Sequence, residues 1–435
     1  MDDSGFRRLR GRPQRIVMAT HGSWGDLHPF IALGLELRRR GCDVVLASHP
    51  DYRGKVEAAG LDFTGYGASR QTYVEDLKLH PAEIIKGLST DHGFMIKRLV
   101  APYLESSIRD ISPVIAGADL VLGSSFAYGA HIAARLHGKP FTTVALQPTV
   151  LMSKWDPPKV RKAPFIFEPR TALGAAYNRL IITAGENIMA ATQAQVRRVY
   201  HRHGLTPSIG LGGILSDHQT LALYSPLLGG MQPDFPPHTV IAGFPFYDSE
   251  TGSPAALAPR LAAFLAAGPP PLVFSLGTAV VYGGEAFYRD AITAARALGQ
   301  RCVILAGPES PLLDQDFGAG VCVAAYAPHS LLLPAARAVI HHGGIGSTAQ
   351  ALRAGRPQLV TPVFGDQFDN ARRLTRLGTA QVLDYDRWTA GTAVARLRRL
   401  LEDVRVAENA RHAARIVACE DGARTAAELL LCPVR

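Results

Sequence analysis

The chain has 435 residues, of which 47% are hydrophobic and 19% charged. This length and balance predict two or three folded domains and exclude a disordered chain or a long coiled coil. Lys and Arg outnumber Asp and Glu by 46 to 37, a net charge of +9, which keeps a nucleic-acid partner open until the charge is located.

The N-terminal residues 1–15 are basic, and we expect them to form a disordered arm. They hold five arginines against Asp2 and Asp3. The apolar run that follows, residues 16–20, is too short for the hydrophobic region of a signal peptide and predicts a first strand. No stretch approaches the ~20 apolar residues of a membrane span. Because the five cysteines show no CxxC pairing, we expect a reduced, cytoplasmic protein.

The first half of the chain opens with a strand–turn–helix–strand pattern. The strand at 16–20 is followed by a Gly-rich turn at 21–26, by apolar residues at helical spacing, and by a β-branched strand at 43–48. Such a unit requires a parallel sheet covered by helices. We therefore assign residues 16–228 to an N-terminal α/β domain.

The same pattern restarts near residue 271, after a Gly/Pro-rich segment at 229–240 that indicates a linker. Strands are predicted at residues 272–277, 302–307, 321–326, 338–342 and 358–362, and helices over 285–298, from about Ser347 and from about Gln367. We place a C-terminal α/β domain at 241–403 and a helical segment, packed on the outside, at 404–435. Since ligands bind at the carboxyl ends of parallel strands, two facing domains predict an interdomain cleft.

The most informative motif leaves a predicted strand and enters a helix, with the sequence His341-His342-Gly343-Gly344-Ile345-Gly346-Ser347-Thr348. Glycines let a ligand approach the backbone, and a helix N-terminus presents unpaired N–H groups to an anion. The hydroxyls of Ser347 and Thr348, and His342 as a further donor, complete a predicted diphosphate site. A tight connection without a ligand is the alternative, since the motif is neither the Walker pattern nor GxGxxG.

Polar or glycine residues also follow other strands of this domain. They are Ser275, Gly277 and Thr278 after one strand, Tyr326 and His329 after another, and Asp366 and Gln367 after a third. A carboxylate beside a carboxamide suits sugar hydroxyls, which need donors and acceptors together. Because these strands end at one edge of a sheet, the groups predict a single nucleotide-sugar site.

These motifs, in this order, resemble the nucleotide-sugar-dependent UDP-glycosyltransferase family. The run from Tyr326 to Asn370 resembles the family's donor-binding signature. The His-His-Gly-Gly form with Gln350, together with the first loop at residues 22–29, resembles its bacterial and fungal branch, which contains sterol glucosyltransferases, rhamnolipid-type rhamnosyltransferases and antibiotic glycosyltransferases. The resemblance implies the GT-B fold, in which two Rossmann-like domains hold the acceptor in the N-terminal half and the donor in the C-terminal half. It also implies inversion at the anomeric carbon without a metal.

The resemblance assigns roles by position. Its donor-binding residues are Ser275, Gly277, Thr278, Tyr326, His329, His342, Gly344, Gly346, Ser347, Thr348, Asp366 and Gln367, with the nucleobase at Tyr326 and His329 and the sugar at Asp366 and Gln367. Plant relatives have, at the position of Gln350, a Glu that binds both ribose hydroxyls. A neutral Gln therefore leaves a dTDP-sugar donor open beside a UDP-sugar.

The first loop offers two candidates for the base that deprotonates the acceptor. His21 directly follows the first strand, and an imidazole has a pKa near neutrality. Asp26 occupies the aspartate of the Gly-Ser-X-Gly-Asp pattern that resembles the antibiotic and sterol enzymes. In His-dependent relatives an aspartate orients the histidine, but residues 122–125 provide none, which favours Asp26. A helix cap is the alternative role for Asp26.

We therefore expect an inverting, metal-independent hexosyltransferase. It would move glucose or a 6-deoxyhexose such as rhamnose from a UDP- or dTDP-sugar to a hydroxyl of a small apolar acceptor, a natural product, a lipid or a sterol. The short DxD patterns at 314–316 and 384–386 are typical of metal-dependent transferases but also arise by chance. A nucleotide-sugar epimerase of the same fold and a non-catalytic helper protein are the alternatives.

The basic excess lies away from the predicted cleft. Residues 1–15 contribute +3 (five Arg minus two Asp), and residues 387–415 contribute +4 (seven Arg minus three acidic residues), which together make seven of the nine charges. Without interleaved aromatic residues these segments form no nucleic-acid-binding stripe. We expect no nucleic-acid partner, and a weak contact with an anionic membrane surface at the inner face stays open beside a solvated surface.

Overall fold

A computed structural model describes residues 14–79, 81–91, 93–161, 166–216, 218–247, 255–280 and 284–431. The predicted disordered arm lies outside the described residues up to residue 13, and Arg15 already belongs to the first strand. The described strands are β1 (Arg15–Ala19), β2 (Asp43–Ser48), β3 (Asp62–Gly65), β4 (Leu120–Ser124), β5 (Phe141–Ala145), β6 (Ile209–Gly210), β7 (Gly213–Ile214), β8 (Gln219–Ala222), β9 (Thr239–Ile241), β10 (Leu272–Ser275), β11 (Cys302–Leu305), β12 (Val321–Ala324), β13 (Ala338–His341), β14 (Gln358–Val360) and β15 (Ala380–Val382).

The α-helices are α1 (Trp24–Arg39), α2 (Arg53–Ala58), α3 (Arg70–Leu77), α4 (Pro81–Thr90), α5 (Leu104–Ala116), α6 (Tyr128–Leu136), α7 (Ala172–Thr192), α8 (Ala194–Arg202), α9 (Pro259–Ala266), α10 (Gly277–Val280), α11 (Glu285–Ala297), α12 (His329–Leu332), α13 (Ile345–Ala354), α14 (Gln367–Arg376), α15 (Ala390–Glu402), α16 (Val404–Val417) and α17 (Gly422–Leu431). Short 3₁₀ turns and one π-helical turn (Met95–Val100) link some of them. Within the described ranges, none of these helices combines the length and apolarity needed to cross a membrane.

The N-terminal domain is built on a seven-stranded parallel sheet in the order β3-β2-β1-β4-β5-β8-β9. Successive residues of β1 are buried on opposite faces, so that Ile16 and Met18 join one core and Val17 and Ala19 another. β9 pairs with β8 inside the segment predicted as a linker, because its apolar residues complete the sheet edge. The sheet of this domain therefore extends to Ile241 rather than ending before residue 229.

The C-terminal domain is built on a six-stranded parallel sheet in the order β12-β11-β10-β13-β14-β15. Each strand predicted in this half forms, and each ends one to two residues earlier than predicted because its last polar or glycine residues turn into the loop. The prediction of two α/β domains with parallel sheets is thus confirmed. The carboxyl ends of β10, β12, β13 and β14 place the predicted donor residues at one edge of this sheet.

The two helices of the C-terminal segment pack on different domains. α16 packs against α13 of the donor half, whereas α17 packs against α1 of the N-terminal domain. Ala426, Ala427 and Leu430 of α17 share a core with Leu27 and Ile31 of α1. Their spacing gives α17 one apolar stripe, and burying it closes the helical layer of the N-terminal domain. The predicted residues 432–435 lie outside the described chain.

The start of α17 is a position where only glycine fits. A Cβ on Gly422 would lie 2.4 Å from the carbonyl oxygen of Gly243 and 2.6 Å from the carbonyl carbon of Phe244. Because these neighbours are backbone atoms, Gly422→Ala must displace α17, and we expect a loss of about 2 kcal/mol of stability. Thermal unfolding should show a lowered midpoint for Gly422→Ala and no lowering for Gly54→Ala, where a Cβ meets no atom of the described residues within 4 Å. Equal midpoints for the two variants would contradict this packing.

Candidate active site

Asp26 lies in the first turn of α1 and closes it as a capping box. Ser23 is the N-cap, and its backbone N–H donates to Oδ2 of Asp26 at 2.8 Å, while its hydroxyl contacts the same oxygen at 3.3 Å. Gly22 has φ +131°, and a Cβ there would lie 2.1 Å from Oδ2 of Asp26. The glycine therefore lets the chain turn closely past the carboxylate. The N-cap is thus Ser23 and not Asp26, which is the N3 residue of the capping box, and both bonds from Ser23 end on a single carboxylate oxygen.

The electrostatic setting of Asp26 suits a base. Burial raises the pKa of Asp26 to about 6, although the hydrogen bonds from Ser23 act in the opposite direction. A general base works best when its pKa lies near the operating pH. Asp26 is thus ionised at neutral pH yet basic enough to accept a proton from a hydroxyl.

His21, the second base candidate, lies at the end of β1 and packs against aromatic rings. Its ring centroid is 4.4 Å from that of Tyr66 and 5.8 Å from that of His49. On another side, a Cβ on Gly67 would lie 2.5 Å from its Cε1. Burial, helped by the charge of His49, lowers the pKa of His21 to about 3. An imidazole held this way is neutral and accepts a proton weakly at neutral pH.

The glycine-rich turn between β13 and α13 is held from inside the domain. The N–H of Gly343 donates to Nδ1 of His341 at 3.1 Å, so the proton of that imidazole sits on Nε2, 2.9 Å from Oε1 of Gln358. Gly343 has φ +88°, and a Cβ there would lie 2.8 Å from Cγ1 of Val360. His341 is therefore a structural residue of the strand, and Gly344 is left as the N-cap of α13.

His342 occupies a slot between two glycines. A Cβ on Gly277 would lie 2.4 Å from Cε1 of His342, and a Cβ on Gly344 would lie 2.4 Å from its Nε2. Nδ1 of His342 is buried and has no hydrogen-bond partner among the described residues. Burial, with the charges of His341 and His329, lowers the pKa of His342 to about 3. The ring is thus neutral and can donate or accept a hydrogen bond beside the N-terminus of α13.

Several predicted donor residues turn their side chains into the protein. Thr348 is fully buried, and its hydroxyl lies 3.5 Å from the carbonyl oxygen of Gly343. Gln367 is 3% exposed, and its Oε1 accepts two backbone N–H bonds from the preceding turn. Ser275 accepts a bond from the N–H of Gly277 at 3.3 Å. These three side chains shape the turns that border the cleft, whereas Ser347, in the first turn of α13, is partly exposed. The side chain of Thr278 lies outside the description.

Asp366 lies between β14 and α14 beside a residue absent from the predicted set, Asn370. Nδ2 of Asn370 donates to Oδ2 of Asp366 at 2.7 Å and to the carbonyl oxygen of Gly343 at 2.9 Å. Asn370 therefore ties the predicted sugar turn to the predicted diphosphate turn. Burial, with the charge of Asp26 from the other domain, raises the pKa of Asp366 to about 7. The two carboxylates thus face the same cleft.

The N-termini of α1 and α13 meet across this cleft. A Cβ on Gly346 would lie 3.5 Å from Cα of Gly25, so the two first turns are in contact distance. The ring of Trp24 lies 5.6 Å, edge to face, from that of Tyr326 at the end of β12. Trp24 is a cleft residue that the sequence motifs did not single out, because its partner comes from the other domain. The base candidate and the donor turn are brought together as predicted from strand ends.

The raised pKa values of Asp26 and Asp366 should make the ligand-free protein less stable at high pH. Their folded pKa values, about 6 and about 7, exceed the usual 3.8, so the folded state retains protons that the unfolded state loses as the pH rises between 4 and 7. We expect Asp26→Asn/Asp366→Asn to be more stable than the wild type at pH 8 by about 2 kcal/mol. The gain should shrink as the pH falls toward 4.

The measurement is urea unfolding of both proteins from pH 5 to pH 8. Buried histidines such as His21 and His342, whose pKa values are lowered, act on stability in the opposite direction below pH 6.5. They are common to both proteins, so the difference between variant and wild type isolates the carboxylates. A difference that is constant with pH would contradict the raised pKa values.

Comparison with known proteins decides the family. The Glycosyltransferase family 28 N-terminal domain matches residues 16–136, and the C-terminal domain described as Erythromycin biosynthesis protein CIII-like matches residues 301–426. The O-mycaminosyltylonolide 6-deoxyallosyltransferase of Streptomyces fradiae is 32% identical over 432 residues, which cover 96% of each chain. The chain belongs to the UDP-glycosyltransferase family. The predicted family is confirmed, and this glycosyltransferase is an enzyme rather than a non-catalytic helper.

Solved structures confirm the fold of the glycosyltransferase. The glycosyltransferase of kitacinnamycin superposes with a TM-score of 0.70 at 22% identity, over 97% of this chain and 99% of that one. The spinosyn rhamnosyltransferase in complex with thymidine diphosphate gives a TM-score of 0.66 at 20% identity, over 96% and 99% of the two chains. The predicted GT-B architecture is therefore confirmed, and the roles of individual residues stay predictions.

Proposed function

We propose that this glycosyltransferase moves a 6-deoxyhexose from a dTDP-sugar to a hydroxyl of a small natural product. Two similar proteins support the donor: one is named a 6-deoxyallosyltransferase, and the other is a rhamnosyltransferase bound to thymidine diphosphate. Gln350 supports it as well, since its Oε1 is buried in the first turns of α13 without a partner among the described residues. A neutral carboxamide suits a deoxyribose, which has one hydroxyl fewer to bind.

One observation carries the proposal: the first turn of α1, with Asp26, faces the first turn of α13, with its unpaired N–H groups. A group transferred with inversion needs the base on one side of the anomeric carbon and the departing diphosphate on the other. We assign the acceptor's proton to Oδ1 of Asp26, the oxygen that Ser23 does not bind. The diphosphate is assigned to the N-terminus of α13 and to His342.

In the proposed reaction, groups of the protein supply the positive potential that stabilises the departing diphosphate. Four N–H groups at the start of a helix lack intrahelical partners, and the helix dipole adds a partial positive charge there. Gly344 and Gly346 leave these groups accessible, and Nδ1 of His342, which has no partner among the described residues, adds a polar atom. We therefore propose a metal-independent transfer, for which EDTA should leave the rate unchanged. A rate that EDTA abolishes and Mg²⁺ restores would contradict it.

An apolar, ring-bearing acceptor is supported by a run of aromatic contacts that starts at His21. His49 packs on Tyr73 with centroids 5.5 Å apart, and Tyr73 packs on Tyr103 at 5.3 Å. These side chains belong to the N-terminal domain, the half that the resemblance assigns to the acceptor. Aromatic faces favour flat or apolar rings. We therefore propose an apolar, ring-bearing aglycone as the acceptor.

The test is a panel of dTDP- and UDP-sugars with hydroxylated aglycones, followed by mass spectrometry and NMR of the product. We expect transfer from a dTDP-6-deoxyhexose, and the anomeric configuration of the product should be opposite to that of the donor. Incubation with donor alone should yield no epimer, which separates the reaction from an epimerase. Transfer from UDP-sugars only, or retention of configuration, would contradict the donor or the mechanism proposed.

A further inference from the structure

A charge-balanced group of six side chains joins the two domains next to the proposed sugar turn. We call it the cross-domain cluster, and its members are Asp156, Glu168, Asp369, Arg372, Arg373 and Arg376. The three arginines and Asp369 belong to α14 of the donor half, whereas Asp156 and Glu168 belong to the N-terminal half. Three positive and three negative charges make its net charge zero at neutral pH.

Arg373 is the centre of the cluster and is 1% exposed. Its Nε donates to Oδ2 of Asp369 at 2.6 Å, and its Nη1 donates to Oδ2 of Asp156 and, at 2.7 Å, to the carbonyl oxygen of Leu228. One guanidinium therefore holds Asp156, the loop between β8 and β9, and α14 at once. A Cβ on Gly229 would lie 2.9 Å from Nη1 of Arg373, so glycine lets the β8–β9 loop pass beside the charge.

Asp369 is held from the N-terminal half by neutral donors as well. The hydroxyl of Thr149 donates to its Oδ2 at 3.2 Å, and the backbone N–H of Lys159 donates to its Oδ1 at 2.8 Å. Asp369 is fully buried and stands in α14 one residue before Asn370, the residue that binds Asp366 and the diphosphate turn. The segment on the acceptor side is thereby fixed to the same helical turn that carries the proposed sugar contacts.

The electrostatics favour a role in geometry over a role in stability. Burial alone would raise the pKa of Asp156, but Arg373, Arg376 and Arg372 hold that pKa below its ordinary value, so the carboxylate stays charged. Buried ion pairs stabilise a fold little compared with apolar residues of similar size, because their desolvation is unfavourable. Their directional bonds do set one arrangement of the groups they join. The directional bonds of the cross-domain cluster therefore fix one arrangement of the two domains beside the proposed sugar turn.

We propose that Arg373 is a positioning residue that, by clamping Asp156 to Asp369, sets the acceptor side of the cleft at a fixed distance from the sugar turn. The inference rests on the proposed function, since it names what aligns the acceptor with the donor in that same site. Arg373 and Asp156 touch no reacting atom in this scheme. Alignment matters for transfer to the acceptor, and it matters far less for binding of the nucleotide or for transfer of the sugar to water.

The test is the ratio of sugar transfer to donor hydrolysis in Asp156→Asn, which keeps the size of the side chain and removes its charge. We expect transfer to fall by at least about tenfold, while hydrolysis and dTDP affinity stay within about twofold of the wild type. A structural defect would lower the rates of transfer and hydrolysis together, because both rates are proportional to the concentration of folded enzyme. Equal losses, or an unchanged transfer rate, would overturn the inference.

Two more variants make the result decisive. Glu168→Gln is the matched control, because Glu168 is half-exposed and contacts Arg372 and Arg376 but not Arg373. It should keep the wild-type ratio, and a fall equal to that of Asp156→Asn would overturn the assignment to Arg373. Thr149→Val removes one neutral bond to Asp369 and should lower the ratio by about threefold even if Asp156→Asn fails to fold. An unchanged ratio in Thr149→Val then overturns the inference, whereas a wild type that turns over no nucleotide-sugar overturns the proposed function.

Discussion

Asp26→Asn should reduce the rate of sugar transfer by about 10²- to 10⁴-fold, the range for loss of a general base. The carboxamide matches the carboxylate in size, and its oxygen can still accept the N–H of Ser23 that closes the capping box. The first turn of α1 should therefore survive, and only the capacity to take a proton is lost. Steady-state kinetics with a saturating dTDP-sugar measures the effect, and the affinity for dTDP should stay close to that of the wild type.

The pH profile provides the control for this variant. With the pKa of Asp26 at about 6, kcat/KM of the wild type should rise with pH and level off above 6, because the base must be ionised. The residual activity of Asp26→Asn should lack this limb. If His21 is the base instead, Asp26→Asn retains most of the rate. In that case His21→Ala shows the large fall in the transfer rate. The pKa of about 3 that burial gives His21 argues against that outcome.

Gly344→Ala should weaken binding of dTDP by about a hundredfold, comparable with loss of an oxyanion donor. The added Cβ would lie 2.4 Å from Nε2 of His342, so the imidazole must leave its slot beside Gly277. The methyl group would also cover the N-terminus of α13, where the diphosphate is proposed to lie. Isothermal titration with dTDP measures the loss directly, without an acceptor.

Gly391→Ala is the matched control for this experiment. Gly391 also lies in the first turn of a helix, α15, but a Cβ there meets no atom within 4 Å, and its helix is remote from the proposed turn. Its affinity for dTDP should equal that of the wild type. Normal dTDP binding by folded Gly344→Ala would show that the diphosphate does not bind at the start of α13.

The fold followed from the sequence wherever local pattern and burial agree. β2 was predicted residue for residue, because its β-branched run has clear polar and glycine limits. The sequence left open which domain the last helix covers, because its apolar stripe does not say so; Leu430 packs with Leu27, some 400 residues away. The edge strand β9 was hidden for a related reason, as three residues between prolines and glycines are a strand only through pairing with β8.

Site residues were predictable as positions but not as orientations. Asp26 was proposed from the resemblance of the first loop and His342 from the glycine-rich turn after a strand, and both lie near the contact between α1 and α13. The inward turns of Thr348 and Gln367 could not be seen, because a hydroxyl or a carboxamide satisfies a backbone group as readily as a ligand. The cluster around Arg373 was also missed. Its sequence signal is a run of charges on α14, and its meaning depends on Asp156, more than 200 residues earlier.

The central claim is that this cleft transfers a deoxysugar from dTDP with Asp26 as the base. The most direct measurement is mass spectrometry of aglycones incubated with a dTDP-6-deoxyhexose and either the wild type or Asp26→Asn. We expect an aglycone heavier by one deoxyhexosyl group with the wild type, and almost none with the folded variant. Equal product from both proteins, or no product from any dTDP- or UDP-sugar together with no binding of dTDP or UDP, would contradict it.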